Sequence, residues 1–217
     1  MHNPLIPLYA VSLMAVLFTA GCAVNPVTGE KELSLISERQ EISLGENNYG
    51  PSRQSQGGDY YLDSELQAYI TSVGRRLAAQ SDRPDLPYEF VVLNNSVPNA
   101  WALPGGKIAI NRGLLEYLDD ESQLAAVLAH EIVHAAARHS ASQMSRGTLA
   151  NIGMLAVAVG TQGRDNGQLY AAASQLGTAA WMAKYGRDDE LESDYYGMNY
   201  MAKASYEVQG AVELQEK

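Results

Sequence analysis

Residues 128–139 read Leu-Ala-His-Glu-Ile-Val-His-Ala-Ala-Ala-Arg-His and contain a His-Glu-X-X-His motif at His130, Glu131 and His134. Acidic residues at 119–121 and the apolar positions that follow them predict a helix through this motif. Residues four apart in a helix lie about 40° apart around its axis, so both imidazoles can reach one metal ion. This donor set suits zinc, and Glu131 can take a proton from a water that attacks a peptide carbonyl. The motif therefore predicts one Zn²⁺ per chain and a hydrolase in which Glu131 is catalytic.

The motif supplies two metal ligands, and a third must come from elsewhere. His139 lies five residues after His134, which is about 140° around a continued helix, so it is expected to point away. The zincin pattern that adds a third histidine is absent, because its two further positions hold Ala137 and Ser140. A carboxylate is therefore expected as the third ligand.

The best carboxylate candidates lie in the acidic stretch 187–197, Arg-Asp-Asp-Glu-Leu-Glu-Ser-Asp-Tyr-Tyr-Gly. Glu190 and Asp194 are four residues apart, so on a helix one can bind the metal while the other accepts the free N–H of a ligand histidine. Glu192 is a rival ligand, but it cannot share the face of Asp194. The alternative interpretation is that the two aspartates before Glu190 only mark a solvated helix start.

The N-terminus predicts an export signal. Residues 1–21 contain no Asp, Glu, Lys or Arg and include the apolar run from Leu5 to Ala20, and the single cysteine of the chain, Cys22, follows. This arrangement predicts a lipoprotein signal peptide at 1–21 and lipidation of Cys22. A plain transmembrane anchor is the alternative, since the run is near the minimum length that spans a bilayer. Ala23 in the next position resembles signals for the inner leaflet of the outer membrane.

The length and net charge of the chain limit the number of its domains and the kind of partner it can bind. A chain of 217 residues has the size of one domain, and a net charge of -10 opposes a nucleic-acid partner. Residues 22–58 are polar and contain scattered proline and glycine, so we expect a lipidated tether and N-terminal wrap with one short helix capped by Ser37. Residues 59–217 are expected to form the catalytic domain. The helical pattern that begins at Val208 is unfinished at Lys217, which predicts a further C-terminal part.

The pattern within the catalytic domain predicts both helices and strands. Apolar residues at helical spacing predict a core-facing helix at 63–80, capped by its first residue, Asp63. β-forming runs at 88–93 and 107–110 predict two neighbouring strands, the second after a Pro-Gly-Gly turn. The apolar run 149–159 is too short to span a bilayer, so a buried or interfacial helix is expected, with a membrane-facing patch as the alternative.

Four separated motifs together resemble one known family. They are the zinc motif with its flank at 130–139, the acidic stretch at 188–197, the segment 99–115, and Asn-Pro-Val-Thr-Gly at 25–29. In their order along the chain they are similar to gluzincin metallopeptidases of the HtpX and CAAX prenyl endopeptidase family, particularly to its periplasmic lipoprotein branch. The likeness covers roughly residues 22–217.

The resemblance implies a zincin-like α+β fold, mostly helical with a small β-sheet. It implies that zinc is bound by His130, His134 and Glu190. It assigns the general base to Glu131, and it makes Asp194 the carboxylate that supports a ligand histidine from behind.

The resemblance also concerns substrate binding. It implies that Asn99 and Ala100 lie on an edge strand that holds an extended substrate by main-chain hydrogen bonds; for Asn99 a turn residue is the alternative. The His or Arg that often steadies the oxyanion in such peptidases would fall past Lys217. The available substitutes are Arg187, Tyr195 and Tyr196.

The implied function is hydrolysis of peptide bonds in misfolded or misassembled cell-envelope proteins, as envelope protein quality control. Polypeptides would be the substrates, and the lipid anchor would hold the enzyme to the membrane in the periplasm. The alternative is a non-proteolytic, zinc-stabilised chaperone or assembly factor that binds outer-membrane proteins through residues 149–159. A pure chaperone has no need of Glu131, which favours the peptidase.

Overall fold

The computed structural model describes residues 22–164 and 166–216. The predicted signal peptide, residues 1–21, lies outside the described residues, and of Cys22 only the backbone is described. The strands of the described residues are β1 (Cys22–Val24), β2 (Lys31–Leu33), β3 (Glu89–Leu93), β4 (Ala100–Leu103) and β5 (Lys107–Asn111). Their helices are α1 (Glu38–Ser55), α2 (Ser64–Ala78), α3 (Arg112–Leu115), α4 (Glu121–Ala136), α5 (His139–Thr161), α6 (Gly167–Lys203) and α7 (Gln209–Gln215).

A small three-stranded sheet lies beside the helices, in the order β3-β5-β4. The predicted strands β3 and β5 are neighbours, and they pair in parallel. β4 pairs antiparallel with β5 and forms one edge of the sheet. The turn between β4 and β5 holds Gly105 and Gly106 at φ values of 76° and 84°, a conformation that favours glycine. The predicted α+β class, mostly helical with a small sheet, is confirmed.

The motif helix α4 lies in the middle of the core. Asp120 caps its start by accepting a hydrogen bond from Gln123 N–H. Helix α2 begins as predicted, with Asp63 accepting from Leu66 N–H. The core joins fully buried side chains from α2, β5, α4 and α6, among them Ile70, Leu77, Ile108, Ile110, Leu128, Ile132 and Met201.

The N-terminal segment, residues 22–58, packs against the residues that follow it. The predicted capping box is present: Ser37 accepts from Gln40 N–H, and the Gln40 side chain accepts from Ser37 N–H. The helix that follows, α1, is longer than its sequence suggested and continues through Pro51. Its Glu41 is 1% exposed and forms ion pairs with Arg83 and Arg138. This buried carboxylate joins α1 to two separate parts of the domain.

Helices α5 and α6 form an antiparallel hairpin, so the run 149–159 is helical as predicted, but it is not buried. Ile152, Leu155 and Val159 are 60%, 65% and 64% exposed. Beyond residue 146, the half-buried residues of α5 lie at positions 147, 150, 154, 157 and 161, which is the spacing of one helix face. Helix α6 packs along α5, and the apolar residues on the outer faces of α5 stay exposed. In the part of the chain that is described, the helices are too short or too polar to cross a membrane.

A glycine sets the closest approach of α1 to the sheet. A Cβ atom on Gly45 would lie 1.8 Å from the carbonyl oxygen of Pro104. We therefore expect Gly45→Ala to lower the free energy of unfolding by about 1–3 kcal/mol, because helix and turn must move apart. Urea unfolding followed by circular dichroism measures this difference.

Gly153→Ala is the matched control. Gly153 also lies within a helix, but a Cβ there would meet nothing within 4 Å. Without a clash, alanine should stabilise the helix by about 0.5–1 kcal/mol. Equal effects of the two substitutions would contradict the close packing of α1 against the turn.

Candidate active site

The metal-binding atoms predicted from two distant stretches of sequence meet at one point. His130 Nε2 lies 3.0 Å from His134 Nε2 and 3.3 Å from a carboxylate oxygen of Glu190. The other carboxylate oxygen of Glu190 lies 3.5 Å from His134 Nε2. Within the described residues, these three side chains form the group of His, Cys, Asp and Glu that could hold a metal ion.

The three atoms fit a zinc ion by their spacing and their chemistry. Two imidazole nitrogens and a carboxylate oxygen are an established donor set for catalytic zinc. Ligand atoms at about 2.1 Å from a tetrahedral zinc would lie about 3.4 Å from one another. The two Nε2 atoms, 3.0 Å apart, and the Glu190 oxygens that lie 3.3 Å and 3.5 Å from them are close to that spacing. Three such side chains would leave a zinc ion one position for water.

Helix α6 brings Glu190 to the histidines by crossing close to α4. A Cβ on Gly197 would lie 3.3 Å from the backbone nitrogen of His130, so a larger residue would push the helices apart. Because α6 begins at Gly167, the acidic stretch lies well inside the helix. The alternative that these residues mark a solvated helix start is therefore wrong. Asp189 is in fact buried, and it forms an ion pair with the buried Arg146.

Asp194 lies behind His130, one of the predicted metal ligands. Its carboxylate is 2.9 Å from His130 Nδ1. A proton on Nδ1 would be donated to this carboxylate, which leaves the lone pair of Nε2 directed at the metal position. The second carboxylate oxygen of Asp194 accepts a hydrogen bond from Gln215 of α7. The last described helix thus holds the carboxylate in place.

The prediction that His139 points away from the site was wrong. It assumed one continuous helix, but α4 ends at Ala136 and Arg138 adopts a left-handed conformation with φ 65°. This residue interrupts the helix, and α5 then begins at His139 in a new direction. His139 Nδ1 lies 2.9 Å from His134 Nδ1, the nitrogen that faces away from the metal position. His139 therefore contacts a predicted ligand without belonging to the metal-binding group.

Burial shifts the pKa values of two side chains at the site. Loss of solvent, with a smaller contribution from the Glu190 carboxylate, raises the pKa of Glu131 to about 8. Such a group can both take and return a proton near neutral pH. Loss of solvent, and then the neighbouring His130 and His139, lowers the pKa of His134 to about 3. His134 is therefore a neutral imidazole, the form that binds metals.

A cleft of about 320 Å³ opens beside these residues. Its wall includes His130 and Glu131 on α4, and Ala100 on the edge strand β4. Asn99, just before this strand, uses its carbonyl oxygen to accept from Asn111 N–H of β5. Hydrogen-bonded and non-hydrogen-bonded residue pairs alternate along an antiparallel ladder. Because Asn99 and Asn111 are a hydrogen-bonded pair, the N–H and C=O of Ala100, in the next pair, point to the open edge of the sheet. The proposed oxyanion substitutes Arg187, Tyr195 and Tyr196 do not line the cleft.

Comparison with known proteins agrees with this geometry. The model of peptidase family M48 matches residues 64–216, well over half of the chain. The beta-barrel assembly-enhancing protease of Escherichia coli K12 is 29% identical over 98% of this chain and 44% of its own length. The mitochondrial metalloendopeptidase OMA1 of Schizosaccharomyces pombe is 31% identical over 88% of this chain and 56% of its own length.

A putative beta-barrel assembly-enhancing protease of Vibrio cholerae is 33% identical over 84% of this chain and 38% of its own length. The chain thus spans less than two thirds of the length of each of these relatives. The family resemblance inferred from the four motifs is confirmed. The chain belongs to peptidase family M48 and carries the metallopeptidase domain of that family.

Proposed function

We propose that this protein is a zinc-dependent endopeptidase that cleaves misfolded or misassembled proteins of the cell envelope. The observation that carries the proposal is the meeting of His130, His134 and Glu190 within 3.0–3.5 Å of one another. Glu131 lies between the two histidines in sequence and lines the adjoining cleft. A metal position, a base and a place for substrate therefore adjoin one another.

The side chains around the cleft have separate tasks in peptide hydrolysis. When bound, zinc would supply positive charge that acidifies water and polarises the scissile carbonyl. Glu131 takes a proton from the attacking water and later gives it to the leaving amine. Asp194 keeps His130 in the tautomer that presents Nε2 to the metal.

We also propose that the edge of the sheet binds the substrate, in agreement with the assignment of Asn99 and Ala100. An extended peptide can add to β4 as a further strand and pair with the outward N–H and C=O of Ala100. Because Asn111 already uses the Asn99 carbonyl, Ala100 is the better placed of the two for main-chain bonding. Strand addition recognises backbone, so it suits substrates of varied sequence that are locally unfolded.

An envelope location is supported by the N-terminal sequence and by two of the relatives. Residues 1–21 followed by Cys22 have the pattern of a lipoprotein signal, which would leave the mature chain anchored in the periplasm, at the inner leaflet of the outer membrane. The two bacterial relatives carry names that refer to β-barrel assembly. Such a location would give the enzyme access to envelope proteins that have failed to fold.

Metal removal tests the proposed function. We expect the purified protein to hold one zinc per chain, to cleave casein, and to lose this activity in a chelator such as 1,10-phenanthroline. One equivalent of zinc should restore activity to the chelated protein. Glu190→Gln should lower the zinc content, whereas Asp188→Asn, an exposed carboxylate two residues away, should not. Zinc is measured by mass spectrometry, and cleavage by the release of labelled peptides.

Two results would contradict the proposal. The first is cleavage of casein that continues after the zinc has been removed. The second is a Glu190→Gln variant that keeps both zinc and activity, because Glu190 supplies one of the three atoms on which the site is built.

One observation favours the chaperone alternative. The exposed apolar residues of α5, including Leu155 and Val159, offer a surface to which an unfolded protein could bind. A zinc-stabilised chaperone would hold zinc and suppress the aggregation of an outer-membrane protein without cutting it. If wild-type protein does this and never cleaves casein, the alternative replaces the peptidase proposal.

A further inference from the structure

His139 lies directly behind a metal-binding histidine. The His134 and His139 rings are nearly perpendicular, with centroids 4.9 Å apart, and their Nδ1 atoms are 2.9 Å apart. His139 is only 2% exposed. A buried imidazole is costly unless its nitrogens have polar partners. The contact with His134 therefore matters to both rings.

The required protons fix the direction of the hydrogen bond between the two rings. For Nε2 of His134 to face a metal with its lone pair, the ring proton must be on Nδ1. Among the described contacts of that N–H, the acceptor is His139 Nδ1 at 2.9 Å. His139 must then carry its own proton on Nε2. The hydrogen bond thus runs from His134 to His139.

A carboxylate faces the other side of His139. Glu192 Oε1 lies 3.3 Å from His139 Nε2, a close contact that falls short of a hydrogen bond by its geometry. This oxygen also accepts from the side-chain amide of Asn25, at 2.9 Å. The same amide group donates to Glu32, at 2.7 Å. Asn25, which lies between the antiparallel strands β1 and β2, therefore holds Glu192 toward His139.

The two ligand histidines are consequently supported in different ways. His130 Nδ1 contacts the carboxylate of Asp194 directly. His134 reaches a carboxylate, that of Glu192, only through the imidazole of His139. Partners of this kind fix the tautomer and the orientation of a metal-binding histidine, and their loss weakens metal binding.

We propose that His139 is a positioning residue for His134 and that Glu192 in turn orients His139. The inference rests on the proposed function, since it assumes that His134 binds zinc. His139 holds the proton of His134 on Nδ1 and sets the angle of its ring. In the sequence, His139 and Glu192 are candidates only for direct metal binding. In the structure they support His134, a predicted ligand, from behind.

The test is zinc affinity, measured on zinc-free protein by competition with a chromophoric chelator. We expect His139→Leu to bind zinc about 10–100-fold more weakly than wild type, because His134 loses its acceptor. His139→Asn, whose side-chain oxygen can take the place of Nδ1, should recover part of this loss. Glu192→Gln keeps the side-chain volume but loses the charge, so a smaller loss in the same direction is expected.

A spectroscopic measurement separates positioning from a general effect on folding. Cobalt in place of zinc gives visible absorption bands that respond to the geometry of the ligands. His139→Leu should change these bands, and His139→Asn should return them toward those of wild type. Thermal unfolding of the zinc-free proteins shows whether each variant is folded. If His139→Leu does not fold, Glu192→Gln and His139→Asn provide the test by the same two measurements.

The outcomes distinguish this inference from the proposed function. If wild type binds one zinc tightly and the folded variants bind it equally well with unchanged cobalt bands, only the inference is overturned. If wild type binds no zinc, the proposed function fails and the inference fails with it. Weaker zinc binding by His139→Leu, with partial recovery in His139→Asn, would support the inference.

Discussion

Replacing Glu131 with glutamine is expected to lower the rate of casein cleavage by about two to four orders of magnitude, the usual contribution of a general base. Glutamine fills the same volume but cannot take a proton from water. The zinc content should stay at the wild-type value, because the atoms that meet at the metal position belong to His130, His134 and Glu190. Initial rates and metal analysis on the same preparations measure both quantities.

Glu121→Gln is the matched control for this substitution. It removes one negative charge from the same helix, at an exposed position in the first turn. The rate of cleavage should not change. A Glu131→Gln variant with more than a tenth of wild-type activity would rule out Glu131 as the base. If wild type and Glu131→Gln both hold zinc and neither cuts, the chaperone alternative is the better explanation.

The largest loss of stability is expected from Glu41→Ala. The Glu41 carboxylate lies 3.0 Å from Arg83 Nη1 and 2.7 Å from Arg138 Nε. Both guanidinium groups are mostly buried. Without the carboxylate, the guanidinium groups of Arg83 and Arg138 stay mostly buried but lose this negatively charged partner. The free energy of unfolding should therefore fall by about 3–5 kcal/mol. Denaturant unfolding of zinc-free protein measures the change.

Glu38→Ala is the corresponding control. Glu38 lies one turn earlier in α1 and also pairs with Arg83, at 2.9 Å, but its side chain is 64% exposed. Water screens this pair, so its loss should cost at most about 1 kcal/mol. Similar effects of the two substitutions would mean that the buried position of Glu41 does not matter.

Much of the metal site could be predicted from local sequence. A helical spacing of four places His130 and His134 together, and the same spacing joins Glu190 to Asp194. The two pairs are far apart in sequence, so spacing within a helix does not predict that they lie together in the fold. Only the family resemblance implied that they do. The close approach of Gly197 to α4 is the physical reason that the two helices can bring them together.

The position of His139 could not be predicted, because it depends on where α4 ends. Ala135, Ala136 and Ala137 favour a continuing helix, and no glycine or proline marks the stop. Arg138 nevertheless takes a left-handed conformation that few residues other than glycine adopt. Its guanidinium bonds to Glu41 and to the carbonyl oxygen of Ile36, contacts that only the folded chain provides.

The exposure of residues 149–159 could not be predicted for a similar reason. Composition shows that a helix can be buried, but the number of neighbours that cover it depends on the fold. Here α6 packs along α5, while Ile152, Leu155 and Val159 on the outer faces of α5 stay exposed. The edge position of β4 next to the cleft was implied only by the resemblance.

Arg138 joins the N-terminal segment to the helix junction beside the metal site. Its side chain bonds to Glu41 and to the carbonyl oxygen of Ile36, at 2.7 Å and 2.6 Å, and its left-handed backbone stands between the end of α4 and His139. A mechanical load on the N-terminal segment would therefore reach, in part through this residue, the end of the helix that bears both histidines.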